Sequence, residues 1–223
     1  MEPTPNLPAA AFARQDETPD ADFYHHPRFV THIDDPAIAA VTQLYREYFR
    51  TGTDLLDLMS SWVSHLPPEV TYRRVVGLGM NAAELQANPR LAAHVVQDLN
   101  RQPLLPFADA EFDGAAICVS IDYLTQPVAV LRELARVLRP DAPLVITFSN
   151  RCFPSKAIAA WHHLDDRGHL ALVRQYLLAA GGWHSIELLD RSPRPPGRSD
   201  PLLAVVARPA GPGRLVASAE VPE

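Results

Sequence analysis

The stretch from residue 95 to residue 150 constrains the fold of this chain more than any other part. Residues 114–119 are a short apolar run between turn residues, as in a strand that is buried on both faces. Apolar residues then recur at helical spacing over 128–138, Pro140 ends this helix, and residues 144–148 form a second strand rich in β-branched side chains. Two buried strands joined by an amphipathic helix predict a right-handed βαβ unit within a parallel sheet.

Further strands and helices are predicted on either side of that unit. Strands are expected at residues 54–58, 74–78, 95–97, 183–189 and 202–207, and helices at 36–52, 82–86, 90–93 and 157–180, with a weak helix in the segment after residue 59. A long polar link without a helix joins the last two strands, which favours a hairpin. The predicted fold is α/β: a Rossmann-like, seven-stranded, mostly parallel sheet with a C-terminal antiparallel hairpin and helices on both faces.

Composition sets the domain organisation. The chain has 223 residues, 47% of them hydrophobic and 21% charged, which is typical of one soluble domain with appendages. We predict a disordered N-terminal tail at 1–20, a helical cap segment at 21–53, a core domain at 54–209 and a disordered C-terminal tail at 210–223. The start lacks a secretory signal, and no apolar run approaches the ~20 residues of a membrane span, so we expect no membrane association and a cytoplasmic location.

Ligands of a parallel sheet bind beyond the carboxyl ends of its strands. Chemistry is therefore expected at Asp98 and at residues 120–123 and 149–152. No serine lies in a G-x-S-x-G turn, and neither a G-x-G-x-x-G loop nor a Walker lysine motif is present, so an esterase, a nicotinamide enzyme and a P-loop enzyme are disfavoured. A net charge of −6 gives no support for a nucleic-acid partner.

One segment carries a recognisable signature. Residues 104–149 read LLPFADAEFDGAAICVSIDYLTQPVAVLRELARVLRPDAPLVITFS, with Leu-Pro-Phe at 105–107 and Phe-Asp at 112–113. With this segment, residues 55–207 resemble the class I S-adenosylmethionine-dependent methyltransferases, in the small-molecule branch with the LPF…FD signature. The resemblance implies S-adenosylmethionine as cofactor and S-adenosylhomocysteine as product. We also expect a small-molecule acceptor, because a basic surface for nucleic acid is missing, and a protein that is a monomer or a homodimer.

The resemblance also implies cofactor-binding residues, with two departures from the family pattern. Asp57 matches the acid after the first strand, but Met59, Ser61 and Val63 replace the glycines of the loop that follows it. Gly79 stands where the family has an acid for the ribose hydroxyls. As substitutes we expect the Ser60 and Ser61 hydroxyls for a carboxylate and Asn81 for a ribose hydroxyl. The residues that retain the pattern are Asp98 and Leu99 for the adenine amino group, Met80 for the adenine face, and Ser120 beyond the fourth strand.

The remaining candidates concern the acceptor. Asp122 at the end of a strand is either a general base or a plain turn residue, and His32 and His65 are either proton acceptors or structural histidines. Tyr123 and Tyr24 are candidates for the substrate wall. Trp62 is either a contact to the cofactor or substrate or a plug in place of the lost glycines, and we favour the plug. The adjacent His pairs at 25–26 and 162–163 do not point at one ion, so we expect no metal site.

Two functions follow from these residues. The first is methyl transfer to a small molecule. The second is a catalytically inactive protein of the same fold that serves as a binding or scaffold module, because both altered motifs belong to the cofactor site. A crevice filled by Met59 and Trp62 favours the second function, whereas an open crevice lined by Asp57, Asn81 and Asp98 favours the first.

Overall fold

The computed structural model of the chain describes residues 7–211, which contain a single seven-stranded sheet. Its strands are β1 (Asp54–Leu58), β2 (Arg74–Gly79), β3 (Ala93–Val96), β4 (Gly114–Cys118), β5 (Leu144–Phe148), β6 (Trp183–Asp190) and β7 (Leu203–Pro209). The order across the sheet is β3-β2-β1-β4-β5-β7-β6. The first five strands are parallel, and β7 runs antiparallel to both β5 and β6. The predicted fold class is confirmed.

Helices cover both faces of this sheet. They are α1 (Asp20–Phe23), α2 (Asp35–Tyr48), α3 (Ala82–Ala87), α4 (Pro127–Val137), α5 (Ala159–His162) and α6 (Asp166–Ala180). The apolar stripe of α2, which includes Val41 and Leu44, packs on one face with residues such as Val145 and Val206. The stripes of α4 and α6 pack on the other face against β1, β4 and β5. Within residues 7–211, none of the helices has the length and apolar character that crossing a bilayer demands.

Local signals explain where these helices begin and end. The Asp34 carboxylate accepts a hydrogen bond from the Ala37 N–H at 3.0 Å and caps α2, and Pro36 occupies its first turn. This helix ends at Tyr48 rather than at Gly52, which lies in the following turn with φ +75°. The predicted helix at 157–180 is divided in two, because the Asp165 carboxylate caps α6 through the Gly168 N–H at 2.8 Å.

Two predicted helices, the weak one after residue 59 and the one at 90–93, are absent from the described residues. The segment 59–73 has no helix, and β3 already begins at Ala93. The Asn88 side chain explains both differences. Its amide donates to the Ser61 carbonyl at 2.9 Å and to the Ser64 hydroxyl at 2.8 Å, and its carbonyl accepts from the Arg90 N–H. These hydrogen bonds take the place of helical backbone hydrogen bonds in the loop after β1 and in the segment after Asn88, as is typical of asparagine in loops.

Residues 7–20, which we predict to be a disordered tail, instead pack against the core. Arg14 forms a bidentate pair with the buried carboxylate of Asp20 at 2.7 and 2.8 Å. The fully buried Lys156 lies 3.3 Å from both Asp16 and Asp20 and donates to the Thr18 carbonyl at 2.6 Å. We call residues 14–32 the N-terminal segment. The rest of the predicted tails, residues 1–6 and 212–223, lies outside the described residues.

Candidate functional site

A cavity opens at the carboxyl ends of β1, β2 and β4, beneath the N-terminal segment. The space inside it that can hold water is about 140 Å³, and the volume reaches about 1170 Å³ only when the open solvent at its mouth is counted. Most of the sequence-predicted site residues line it: Asp57, Met59, Ser60, Ser61, Gly79, Met80, Asn81, Asp98, Leu99, Ser120, Tyr123, Tyr24, His32 and His65. Asp122 and Trp62 are the two predicted residues that do not line it.

Asp57, the next-to-last residue of β1, is a buried carboxylate held by two hydroxyls. The side chains of Ser60 and Ser64 both donate to its Oδ2 at 2.6 Å. Burial raises the pKa of Asp57 to about 6, and these two hydrogen bonds oppose that rise. At neutral pH the group is therefore an anion next to the cavity with unused acceptor capacity, which suits a cationic ligand group.

The loop after β1 takes a tight turn although its glycines are replaced. Met59 has φ +57°, a left-handed conformation that costs a non-glycine residue roughly 1–2 kcal/mol. The loop then crosses β2, where the Ser60 N–H donates to the Leu78 carbonyl at 2.8 Å. A Cβ on residue 79 would stand 2.1 Å from the Ser60 carbonyl oxygen, so glycine is the residue that fits there.

The polar side chains at the end of β2 are already engaged. The Asn81 amide donates to the carbonyls of Tyr24 and His25 at 2.9 and 3.1 Å, and its oxygen caps α3. The Ser61 hydroxyl donates to Glu84 Oε2 at 2.7 Å. Asn81 therefore fixes the N-terminal segment over the cavity rather than offering its amide to a ligand. The Ser61 hydroxyl hydrogen is likewise already used in its hydrogen bond to Glu84.

The end of β3 forms the next part of the wall. Asp98 lines the cavity, and its Oδ1 accepts the backbone N–H groups of Asn100 and Arg101 at 2.9 and 3.3 Å. The Asn100 amide donates to Asp20 Oδ2 and to the Tyr123 carbonyl, both at 2.9 Å. Asp98 thus faces the cavity and also caps the turn that follows it.

Aromatic rings form the side of the cavity beyond β4 and β5. Phe153 packs against Tyr123, Tyr24 and His32, with centroids 5.9, 6.5 and 5.3 Å away. The Tyr123 hydroxyl accepts the Phe153 N–H at 2.8 Å, and burial raises the pKa of Tyr123 and of Tyr24. Both tyrosines therefore stay protonated and act as walls.

The two histidines share the cavity wall. Burial lowers the pKa of His32, with Glu84 opposing and Arg28 adding to that effect. Burial also lowers the pKa of His65, whose backbone has φ +50° and whose carbonyl accepts the Thr42 hydroxyl. Both imidazoles are consequently neutral at pH 7 and able to accept a proton.

Asp122 and Trp62 lie elsewhere than we expected. Asp122 is 3% exposed and does not line the cavity, and its Oδ2 is buried without a hydrogen-bond partner among the described residues. Burial raises its pKa to about 8, so it is a neutral acid at pH 7 rather than a cavity base. Trp62 does not plug the crevice; its indole N–H donates to the Val30 carbonyl at 3.0 Å and its ring packs edge-on against Phe29.

Sequence reasoning missed several residues of the cavity. Glu84 lines it from the first turn of α3, and its Oε1 accepts the Arg28 N–H at 2.7 Å. Arg28, Asn100 and Phe153 line it as well. Nothing in the local pattern marks these residues, because they meet only through contacts between distant parts of the chain. Among residues 7–211, no group of three His, Cys, Asp or Glu side chains is placed to hold a metal ion.

Comparison with known proteins agrees with this architecture. Residues 60–146 match the family model described as a methyltransferase domain. Over these residues the chain is similar to the methyltransferase-domain family. An O-methyltransferase of Pyrenophora dematioidea is 43% identical over 91 residues, which are 39% of this chain and 34% of that protein. The match to this curated relative therefore spans about a third of the relative's length.

Solved structures support the fold of the methyltransferase domain. The cyclase SpnF superposes with a TM-score of 0.57 at 17% identity, over 77% of this chain and 80% of its own. Phosphoethanolamine N-methyltransferase 2 of Haemonchus contortus, solved with S-adenosylhomocysteine, gives a TM-score of 0.56 at 13% identity, over 78% and 52% of the two chains. Because a cyclase and a methyltransferase share this architecture, the fold alone does not decide the reaction.

Proposed function

We propose that this protein transfers the methyl group of S-adenosylmethionine to the hydroxyl oxygen of a small molecule. The observation that carries the proposal is the open cavity at the ends of β1, β2 and β4, which is lined by Asp57, Asn81 and Asp98 and is not filled by Trp62. An open crevice is the condition under which we favoured an enzyme over an inactive scaffold. The oxygen acceptor is inferred from the O-methyltransferase relative.

The residues of the cavity fit this cofactor. Its ammonium group would bind the buried carboxylate of Asp57, which is ionised above about pH 6. Glu84 faces the cavity beside Gly79 and has spare acceptor capacity, so it takes the place of the missing ribose acid. Met80, Asp98 and Leu99 would hold the adenine. The acidic lining also favours a sulfonium cation over a neutral ligand.

The cofactor supplies an activated methyl group, and the protein supplies alignment, exclusion of water and a proton acceptor. Tyr24, Tyr123 and Phe153 form an apolar wall that holds the acceptor and keeps water away. His32 lies against Phe153 in the same cavity and is neutral at pH 7. It would take the hydroxyl proton as the new carbon–oxygen bond forms and the carbon–sulfur bond breaks, with His65 as the alternative acceptor.

Titration of the protein with S-adenosylhomocysteine in a calorimeter tests the proposal. We expect binding by the wild-type protein, and at least a tenfold weaker affinity for Asp57→Asn because a charge-assisted contact to the ammonium group is lost. Asp166→Asn, at an exposed position on α6, should bind as the wild type does. Absence of binding at millimolar ligand would contradict the proposal and leave the scaffold function.

A cytoplasmic location and a monomeric or homodimeric state stay predictions.

A further inference from the structure

Arg28 is the one residue with a permanent positive charge among the described residues that line the cavity. Four carboxylates share that lining: Asp20, Asp57, Glu84 and Asp98. The side chain of Arg28 donates through Nη2 to the Phe23 carbonyl at 2.8 Å. Its Nη1 is buried and has no hydrogen-bond partner within residues 7–211.

The surroundings of this guanidinium are aromatic. Its central carbon lies 4.5 Å from the ring centre of Phe23, 5.3 Å from Phe153 and 5.7 Å from Tyr24. These rings shield Nη1 from water, and a buried donor without a partner is unfavourable because it has lost its bonds to water. Such a cost is explained when a ligand brings the acceptor, since native proteins rarely leave a buried donor unfilled.

The hydrogen-bond partner that best suits the free Nη1 of Arg28 is a carboxylate of a ligand. A guanidinium presents paired N–H groups that match the two oxygens of a carboxylate, and its charge strengthens each hydrogen bond. Acidic residues repel an anion elsewhere along the wall, so the negative group of a ligand is drawn to Arg28. The planar rings of Tyr24, Tyr123 and Phe153 beside it favour a flat ligand. We propose, on the basis of the proposed function, that the acceptor is a hydroxylated aromatic acid whose carboxylate binds Arg28.

The amino-acid part of the cofactor is another source of a carboxylate. We assign Arg28 to the acceptor because its aromatic neighbour Phe153 follows β5 and packs on Tyr123 and His32, which are the acceptor-facing residues. The cofactor's ammonium group, by contrast, is assigned to Asp57 at the end of β1. Since Nη1 is already covered, the rings of the N-terminal segment must move apart as the acceptor enters.

The test uses two probes of nearly the same shape, the anion 4-hydroxybenzoate and the neutral 4-hydroxybenzamide. Each is titrated into the wild-type protein saturated with S-adenosylhomocysteine. We expect the acid to bind at least tenfold more tightly than the amide, because only the acid forms the charge-assisted pair. Arg28→Gln should abolish this preference, and Arg174→Gln, at an exposed position on α6, should retain it.

Several results would overturn the proposal. Equal binding of the two probes by the wild-type protein would contradict the proposal, and this result needs no variant. A preference for the acid that persists in Arg28→Gln would contradict it as well. If Arg28→Gln weakens S-adenosylhomocysteine tenfold but leaves 5′-methylthioadenosine unchanged, Arg28 serves the cofactor's carboxylate instead. If circular dichroism shows that Arg28→Gln is unfolded, Arg28→Lys is used instead. Arg28→Lys should reduce the preference for the acid, because lysine lacks the paired N–H groups of a guanidinium. Failure of the wild type to bind S-adenosylhomocysteine would instead contradict the proposed function.

Discussion

The carbonyl oxygen of Ser60 lies 2.1 Å from the point where a Cβ on residue 79 would stand. The loss of the loop glycines after β1 and the loss of the acid at residue 79 therefore have one structural cause. Once the loop after β1 runs over the end of β2, an acidic side chain can no longer be accommodated at residue 79. Under the proposed function the acid for the ribose comes from another element, and Glu84 on α3 is a carboxylate that lines the cavity.

Gly79→Ala should destabilise the protein. The added methyl group meets backbone rather than a flexible side chain, so the loop has to shift, and overpacking of this kind costs about 1–3 kcal/mol. Gly211→Ala is the control, because its Cβ would meet Pro140 at 3.4 Å, close to ordinary contact. Thermal denaturation of both variants measures the difference. Equal melting temperatures would show that the loop is not packed on residue 79 as described.

Glu84→Gln should weaken binding of S-adenosylhomocysteine about tenfold, because a neutral amide forms weaker hydrogen bonds to ribose hydroxyls than a carboxylate does. The substitution keeps the size of the side chain and one acceptor oxygen for the Arg28 N–H. Calorimetry gives the affinity, with Glu69→Gln on the exposed surface as the matched control. An unchanged affinity in Glu84→Gln would remove Glu84 from the ribose site.

Asp122→Asn should change how stability depends on pH. The pKa of Asp122 is raised from 3.8 to about 8 by burial, so the folded state holds its proton more tightly than the unfolded state. Wild-type stability should then fall as pH rises from 4 to 8, by an amount on the order of a few kcal/mol, and change little above that. Urea denaturation at pH 5, 7 and 9 should find the advantage of Asp122→Asn growing with pH. An advantage that is constant with pH would mean that Asp122 does not titrate in this way.

Lys156→Met should loosen the N-terminal segment. Removal of the ammonium group leaves the buried Asp20 carboxylate with fewer partners, and breaking a buried ion pair costs about 3–5 kcal/mol. Hydrogen exchange should show lost protection for the Asp16 and Tyr24 amides, which donate to the Ser155 and Asp20 carbonyls. Amides of β4 should remain protected, and their equal loss would indicate global unfolding instead.

The sequence predicts the sheet well because its strands carry local signals. The apolar runs at β1 and β5 are found with the predicted bounds, and the other strands differ by a residue or two at their ends. The carboxyl-end rule also places the cavity correctly, since it depends only on strand direction. Patterns of this kind are contained within a few consecutive residues.

The rest depends on partners far apart in the sequence. Lys156 anchors the segment around Asp16 across 140 residues, so the polar, proline-containing tail has no local sign of order. Arg28 and Glu84 both line the cavity and are joined by a backbone-to-carboxylate hydrogen bond between residues that are 56 positions apart. Trp62 is held outside the crevice by the Val30 carbonyl, 32 residues away. Asp122 is buried in the short turn Ile121–Tyr123 after β4, and its burial has no sign in the local sequence.

Lys156 is the only lysine in the sequence, and in the folded protein none of its surface is exposed. Reagents and enzymes that acylate or conjugate lysine side chains consequently find no ε-amino group within reach while the N-terminal segment is closed. Modification at this position would report each opening of the segment, so a mass spectrometer could follow that motion through a single lysine.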